Sequence, residues 1–444
     1  MKLVILGNGF DLGNNLPTYY SDFFNYRFNQ KKTIFDIIDK FLYQSIKSSF
    51  KENESKESVD RSDSIKAINT VNYIIDKIVD ENLNFWDIYF WWLLKNLNTS
   101  NIWGWNNVEE EIRNFVSEIN TESQLHFNNL DINSLFTFNR SLNKVPTPVQ
   151  TYLNNIFINY NTIERVYILL NQYLIKRKGN KNLDLYTLVL EELISFESVF
   201  RDYISKIMSE IIFDNKIRKN KAKYFDNFLK IIDSTQESEY FLLNFNYTSF
   251  QNINLPDNES MNDFNNKIEF IRLKKQRRIT EINVHGSFNK KVIFGVDQDG
   301  ISANKKYYIF TKTYRKVSES KNLVSQPLPS SNFINEIIFY GHSLSDADYS
   351  YFQSIFDFYD LYNSNIKLSF KFSYFGEESL YWEIKHKQIN QAINLVKKYG
   401  YSLSNLKKGE NLIHKLLLEN RINFEEILLS QIDTKDFREK YFSK

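Results

Sequence analysis

Apolar positions along the chain change their spacing twice. The N-terminus opens with Leu3-Val4-Ile5-Leu6, a short continuous apolar run that ends at Gly7. Such a run predicts a strand buried on both faces. From about Asn25 to Ser238 the spacing becomes helical. Ile34, Ile37, Ile38, Phe41 and Leu42 mark one helix, and Val71, Ile74, Ile75, Ile78 and Val79 another. Phe196, Val199, Phe200, Tyr203, Ile204, Ile207, Met208, Ile211 and Ile212 mark a long amphipathic one. Ser48 to Ser64, rich in Lys, Glu and Ser, predicts an exposed or disordered loop. Strand signals return after Ser238, at Phe241–Phe245, Ile282–Val284, Val292–Val296, Ile337–Gly341 and the alternating Leu368, Phe370, Phe372 and Tyr374. From about Glu377 the pattern is helical again, with Ile384, Gln388, Ala392, Leu395 and Tyr399 on one helix stopped by Gly400.

One N-terminal strand has no neighbours of its own. It therefore predicts an α/β domain whose sheet is interrupted by a helical insertion. The expected division is a discontinuous domain of residues 1–24 and 239–376, a helical insertion of 25–238, and a helical C-terminal extension of 377–444.

Composition narrows the function classes. The 444 residues include 38 Phe and 28 Tyr but only 12 Gly and 6 Pro, which suits a helix-rich chain with a large core. The net charge of +2 argues against nucleic acid as a dedicated partner. With no cysteine, disulfides, zinc ribbons, thiol nucleophiles and iron–sulfur clusters are excluded. No apolar stretch approaches the roughly 20 residues of a membrane span, and no secretory signal is visible. A cytoplasmic protein is expected.

Candidate chemistry begins at Gly7-Asn8-Gly9-Phe10-Asp11-Leu12, directly after the first strand. Glycines there would let backbone N–H groups approach a phosphate. A tight strand-to-helix turn would use the same residues. The spacing to Gly13 is one residue too long for the dinucleotide fingerprint. Leu16-Pro17-Thr18, Tyr20 and Asp22-Phe23 extend the motif. The whole string resembles the N-terminal signature of the AbiH family of bacterial abortive-infection, anti-phage proteins. Trp105 with Glu109, Phe245-Asn246-Tyr247-Thr248, Val284-His285-Gly286, Ile293–Val296 and Gly341-His342-Ser343-Leu344 with Asp346 and Asp348 are similar to it too.

A more distant resemblance is to sirtuin-like NAD-binding domains. The order of glycine turn, Asn after a strand, His-Gly, and a strand ending in Gly and Ser is theirs. It implies a Rossmann-like parallel sheet and cleavage of the nicotinamide–ribose bond of NAD, with Asn246 and His285 as the catalytic pair. It also implies nucleotide binding by Gly7, Asn8, Gly9, Phe10, Asp11, Thr248, Gly341, His342, Ser343 and Asp346. Asn246 would position a water, and His285 would accept a proton near neutrality. Asp11 would meet a ribose hydroxyl or a backbone N–H. Two departures stand out. Thr248 replaces the Asp that helps sirtuins recognise nicotinamide, and the cysteines of their zinc module are missing.

Blander roles compete. His285 could end a strand, Asn246 could hold a turn, and Ser345 or Asp346 could cap the next helix. Glu109-Glu110-Glu111 could offer a carboxylate to the cleft but reads better as an acidic helix face, and Lys274-Lys275-Gln276-Arg277-Arg278 could contact nucleic acid or phosphate but reads better as a solvated loop. Trp86, Trp91 and Trp92 read as core or an oligomer contact. His126, His386 and His414 lack partners at metal-ligand spacing, so no metal is expected. The leading expectation is an anti-phage effector that depletes NAD, with a phage-derived trigger and a homo-oligomer as possible partners. A non-catalytic nucleotide sensor or scaffold and a nuclease are the alternatives.

Overall fold

In the computed structural model, residues 1–43, 61–96, 105–118, 169–170, 172–177, 179, 184–233, 239–250, 279–318, 327–374, 380–427 and 429 are described. β1 (Lys2–Leu6) runs into α1 (Asn8–Gly13). Helices α2 (Tyr20–Gln30), α3 (Lys32–Tyr43), α4 (Arg61–Asp80), α5 (Phe85–Asn96) and α6 (Trp105–Glu118) follow. Then come α7 (Leu185–Phe213) and α8 (Asn215–Ile232). The chain returns to strands with β2 (Tyr240–Asn244) and β3 (Ile279–Asn283), then α9 (Lys312–Ser318) and β4 (Glu336–Tyr340). It closes with α10 (Tyr349–Phe358), β5 (Lys367–Phe372), α11 (Tyr381–Ser402), α12 (Leu406–Glu410), α13 (Leu412–Leu418) and β6 (Ile422–Glu426).

The six strands form one all-parallel sheet in the order β3-β2-β1-β4-β5-β6. Leu3, Val4, Ile5 and Leu6 of β1 are all fully buried, as their apolar run predicts. Alternate residues serve opposite faces. Val4 and Leu6 join a core built with α2 to α8, whereas Leu3 and Ile5 join one built with α10, α11 and α13. Ile338 and Tyr340 of β4 face the first core, and Ile337 and Phe339 the second. The helices between β1 and β2 therefore cover one face of the sheet.

Buried ion pairs fix that covering. Arg27 Nε and Nη2 reach the two carboxylate oxygens of Asp87 at 3.1 and 2.8 Å, tying α2 to α5. Arg315 grips Glu197 in the same two-pronged way at 2.9 and 2.6 Å, tying α9 to α7. Trp86 and Trp92 lie in the core, and Trp91 donates to Asp39 at 2.6 Å.

Three expectations change. Val292–Val296 is extended and buried but is not a strand of the sheet. Its backbone N–H groups go elsewhere, Phe294 N to Glu197 Oε1 at 2.7 Å and Ile293 N to His285 O at 3.0 Å. The C-terminal region is not purely helical, because β6 pairs with β5 at the sheet edge. With only Ile422 and Phe424 apolar, β6 carries too weak an alternation to announce itself, and pairing with β5 defines it. Arg61–Ser64 belong to α4 rather than to a loop; residues 48–60 and the basic run 274–278 lie outside the described residues.

Candidate functional site

The connection from β1 leads towards β2, and that from β4 leads towards β5 on the other side. The order thus reverses between β1 and β4, and a crevice opens beyond their carboxyl ends. A cleft of about 720 Å³ lies there.

The glycines let two loops touch. Gly7 N donates to Tyr340 O at 3.0 Å and Gly9 N to Gly341 O at 2.7 Å. A Cβ on Gly7 would stand 2.4 Å from His342 Cα, which no side chain tolerates. Gly341 has φ +69°, a left-handed conformation that favours glycine. The N–H groups of Gly7 and Gly9 are thus committed to the β4 loop, so close approach rather than phosphate donation explains these two glycines.

The loop after β2 is pinned from both sides. Asn244 Nδ2 donates to Thr248 O at 3.0 Å, and Asn283 Nδ2 donates to Asn246 O at 2.8 Å and Thr248 O at 2.7 Å. Asn246 points its Nδ2 at Gly7 O, 3.1 Å away, and its buried Oδ1 has no hydrogen-bond partner among the described residues.

Across the crevice lies a buried charge cluster. His285 Nε2 is 2.8 Å from Asp348 Oδ1, and Lys312 Nζ is 2.7 Å from the same oxygen. Lys312 Nζ also donates to Glu109 Oε2 at 2.7 Å and Ala347 O at 2.9 Å. His342 Nε2 lies 3.3 Å from Asp348 Oδ2, while its Nδ1 accepts from Leu344 N. Burial alone would raise the Asp348 carboxyl, but Lys312 and His285 hold it well below its ordinary value. An ionised carboxylate only accepts, so His285 carries its proton on Nε2. His285 Nδ1 is then a lone pair, and it has no partner among the described residues. Burial and then the Lys312 charge push His285 down to about 3, so the ring is neutral at pH 7. Burial pushes Glu109 up to about 8 against the pull of Lys312. Lys312 stays charged: burial opposes it, and Asp348 and Glu109 raise it above its ordinary value.

Gly7, Asn8, Gly9, Asn246, His285, Gly341, His342 and Ser343 all line the cleft. Four other expected residues do not. Phe10 is core, with edge contacts to Phe228 and Phe250. Asp11 is buried beneath the turn, and Thr248 Oγ1 donates to it at 2.8 Å. Burial pushes the Asp11 carboxyl up to about 8, with the Thr248 hydrogen bond opposing. Asp346 is turned outward, its side chain 80% exposed, and pairs with Lys398. The buried acid of that segment is Asp348.

Lys312 is a lining residue that sequence reasoning misses, and Glu109 and Asp348 are two to which it gives too little weight. The Glu109 run reads better as an acidic helix face than as a source of a cleft carboxylate, yet Glu109 is only 4% exposed. Asp348 stood in a noted segment, but the weight fell on Asp346. Lys312 carried no signal. The far wall comes from the carboxyl ends of β5 and β6 and from α11, with Lys371, Ser373, Phe424, Lys387 and Gln388.

The family model described as bacteriophage abortive infection AbiH matches residues 3–370. The chain belongs to the AbiH family. No curated protein and no solved structure matches it. The AbiH match spans β1 to most of β5, so it takes in Asn246, His285, Lys312, Asp348 and Glu109 and excludes α11 and β6. Membership implies a role in abortive infection by phage. Among the described residues, no helix is long and apolar enough to cross a membrane.

Proposed function

We propose that this AbiH protein binds NAD in the crevice and hydrolyses its nicotinamide–ribose bond, depleting NAD in infected cells. The observation that carries the reading is a pair of unmet buried acceptors, Asn246 Oδ1 and His285 Nδ1, on residues lining one cleft. A ribose diol and an attacking water are both donors of the kind these atoms need.

Two features of the fold support a dinucleotide. The order 3-2-1-4-5-6 is that of doubly wound dinucleotide-binding sheets. The cleft also runs from His285 beyond β3 to Phe424 on β6. Five strand spacings make about 24 Å, long enough for an extended dinucleotide.

The bond to be broken joins ribose C1′ to a cationic pyridinium nitrogen. Its electron pair leaves with the nitrogen, giving neutral nicotinamide and an oxocarbenium-like ribose. Asn246 Oδ1 orients the water whose oxygen bonds to C1′. His285 Nδ1 accepts the proton that water loses, and Asp348 steadies the imidazolium through Nε2. A histidine this weakly basic holds the proton only in passing, which suffices because water attacks a cation.

A second reading is a sensor that holds the nucleotide without turnover. Thr248 favours it, since its hydroxyl is bound to Asp11 beneath the cleft and is not offered to nicotinamide. Nicotinamide release by the purified protein, beside His285→Ala, tests both. Release that vanishes in the variant supports hydrolysis. Bound and unchanged NAD supports the sensor.

A further inference from the structure

Glu109 has a geometry that the reaction as drawn does not use. It is the member of the Glu109-Glu110-Glu111 run that lines the cleft; Glu110 is exposed. Lys312 holds its Oε2 at 2.7 Å, while its buried Oε1 has no hydrogen-bond partner among the described residues. Lys312 also holds Asp348, which holds His285. Glu109 is therefore fixed beside the reacting end of the cleft, although it comes from α6 on the helical cover rather than from a sheet loop.

Resting on the NAD reading, we propose that Glu109 Oε1 contacts a hydroxyl of the ribose that carries nicotinamide. An acceptor next to that sugar strengthens its hold as positive charge develops at C1′, because a hydroxyl on a carboxyl group passes electron density to the ring. A hydroxyl is also the ligand group that suits this oxygen in either protonation state, since it both donates and accepts. That matters for a carboxyl that burial and the nearby Asp348 charge push up to about 8 against the pull of Lys312. The helical cover would thus supply sugar recognition, and the sheet loops the water and the base.

The test is a double-mutant cycle between the protein and the sugar. The probe is the carbocyclic analogue of NAD, whose nicotinamide cannot leave, with and without the 2′ or 3′ hydroxyl on the nicotinamide-side ring. Affinities are measured by calorimetry for the wild type and Glu109→Met. The wild type is expected to lose about tenfold in affinity when one hydroxyl is removed, and the variant less than about threefold. Equal losses in both proteins would overturn the contact and leave NAD binding intact. A wild type that binds none of the analogues would overturn the NAD reading and this contact together. If Glu109→Met fails to fold, Glu109→Asp serves in its place, since it keeps a carboxyl group on the same helix and draws it back from the sugar.

Discussion

His285 and Asp348 are 63 residues apart in sequence, yet His285 Nε2 lies 2.8 Å from Asp348 Oδ1. That contact sets the tautomer of the ring and leaves Nδ1 as the acceptor. Asp348→Asn removes the ionised acceptor and offers an amide N–H to Nε2. Nicotinamide release is expected to fall about 100-fold or more, in kcat rather than KM. Unchanged steady-state kinetics would remove His285 from the proposed mechanism.

Lys312 is the sole cation in contact with both Glu109 and Asp348 among the described residues. Lys312→Met leaves Asp348 buried without its charge partner. Breaking such a pair costs about 3–5 kcal/mol. Urea unfolding at pH 7 measures it, and the loss should shrink as the pH falls and Asp348 becomes protonated. A cost below about 1 kcal/mol would mean that water reaches the cluster freely.

Asp11 gives stability a pH dependence of defined sign. Its carboxyl is raised from 3.8 to about 8 by burial. Between those values the folded state keeps a proton that the unfolded state has lost. The folded state then binds more protons, so this group makes stability fall as pH rises from about 4 to about 8. His285 acts in the opposite sense at lower pH, because its folded value of about 3 lies below 6.5. Asp11→Asn should therefore melt with a smaller loss between pH 6 and pH 8 than the wild type. Parallel melting curves across that range would show that Asp11 is ionised in the folded protein.

Gly7→Ala forces the β1 and β4 loops apart, because its Cβ would stand 2.4 Å from His342 Cα. Overpacking of this kind costs about 1–3 kcal/mol. The variant should fold with a lower Tm and lose nucleotide binding, read by calorimetry. Wild-type affinity in the variant would show that the crevice does not depend on contact between the loops.

Much of the N-terminal motif is legible in sequence because it is structural. Thr18 Oγ1 donates to Asn8 Oδ1 at 2.7 Å, Tyr203 OH donates to Pro17 O at 2.8 Å, and Asp22 accepts from Tyr19 N. These residues shape the turn, and Phe10 and Asp11 lie under it. A motif marks a region where residue types are constrained. It does not tell which of them face a ligand and which hold the floor.

Sequence by itself determined β1, β2, β4 and β5 and the long helices, because burial on both faces or on one stripe writes its period into the chain. It also placed Asn246 and His285 after strands, where a parallel sheet gathers its loops. The tertiary structure alone decided what surrounds them. Glu109 and Lys312 meet across 203 residues, and β6 is a strand because β5 is beside it. Charge pairing and edge pairing depend on which surfaces the fold brings together, and no local period records that.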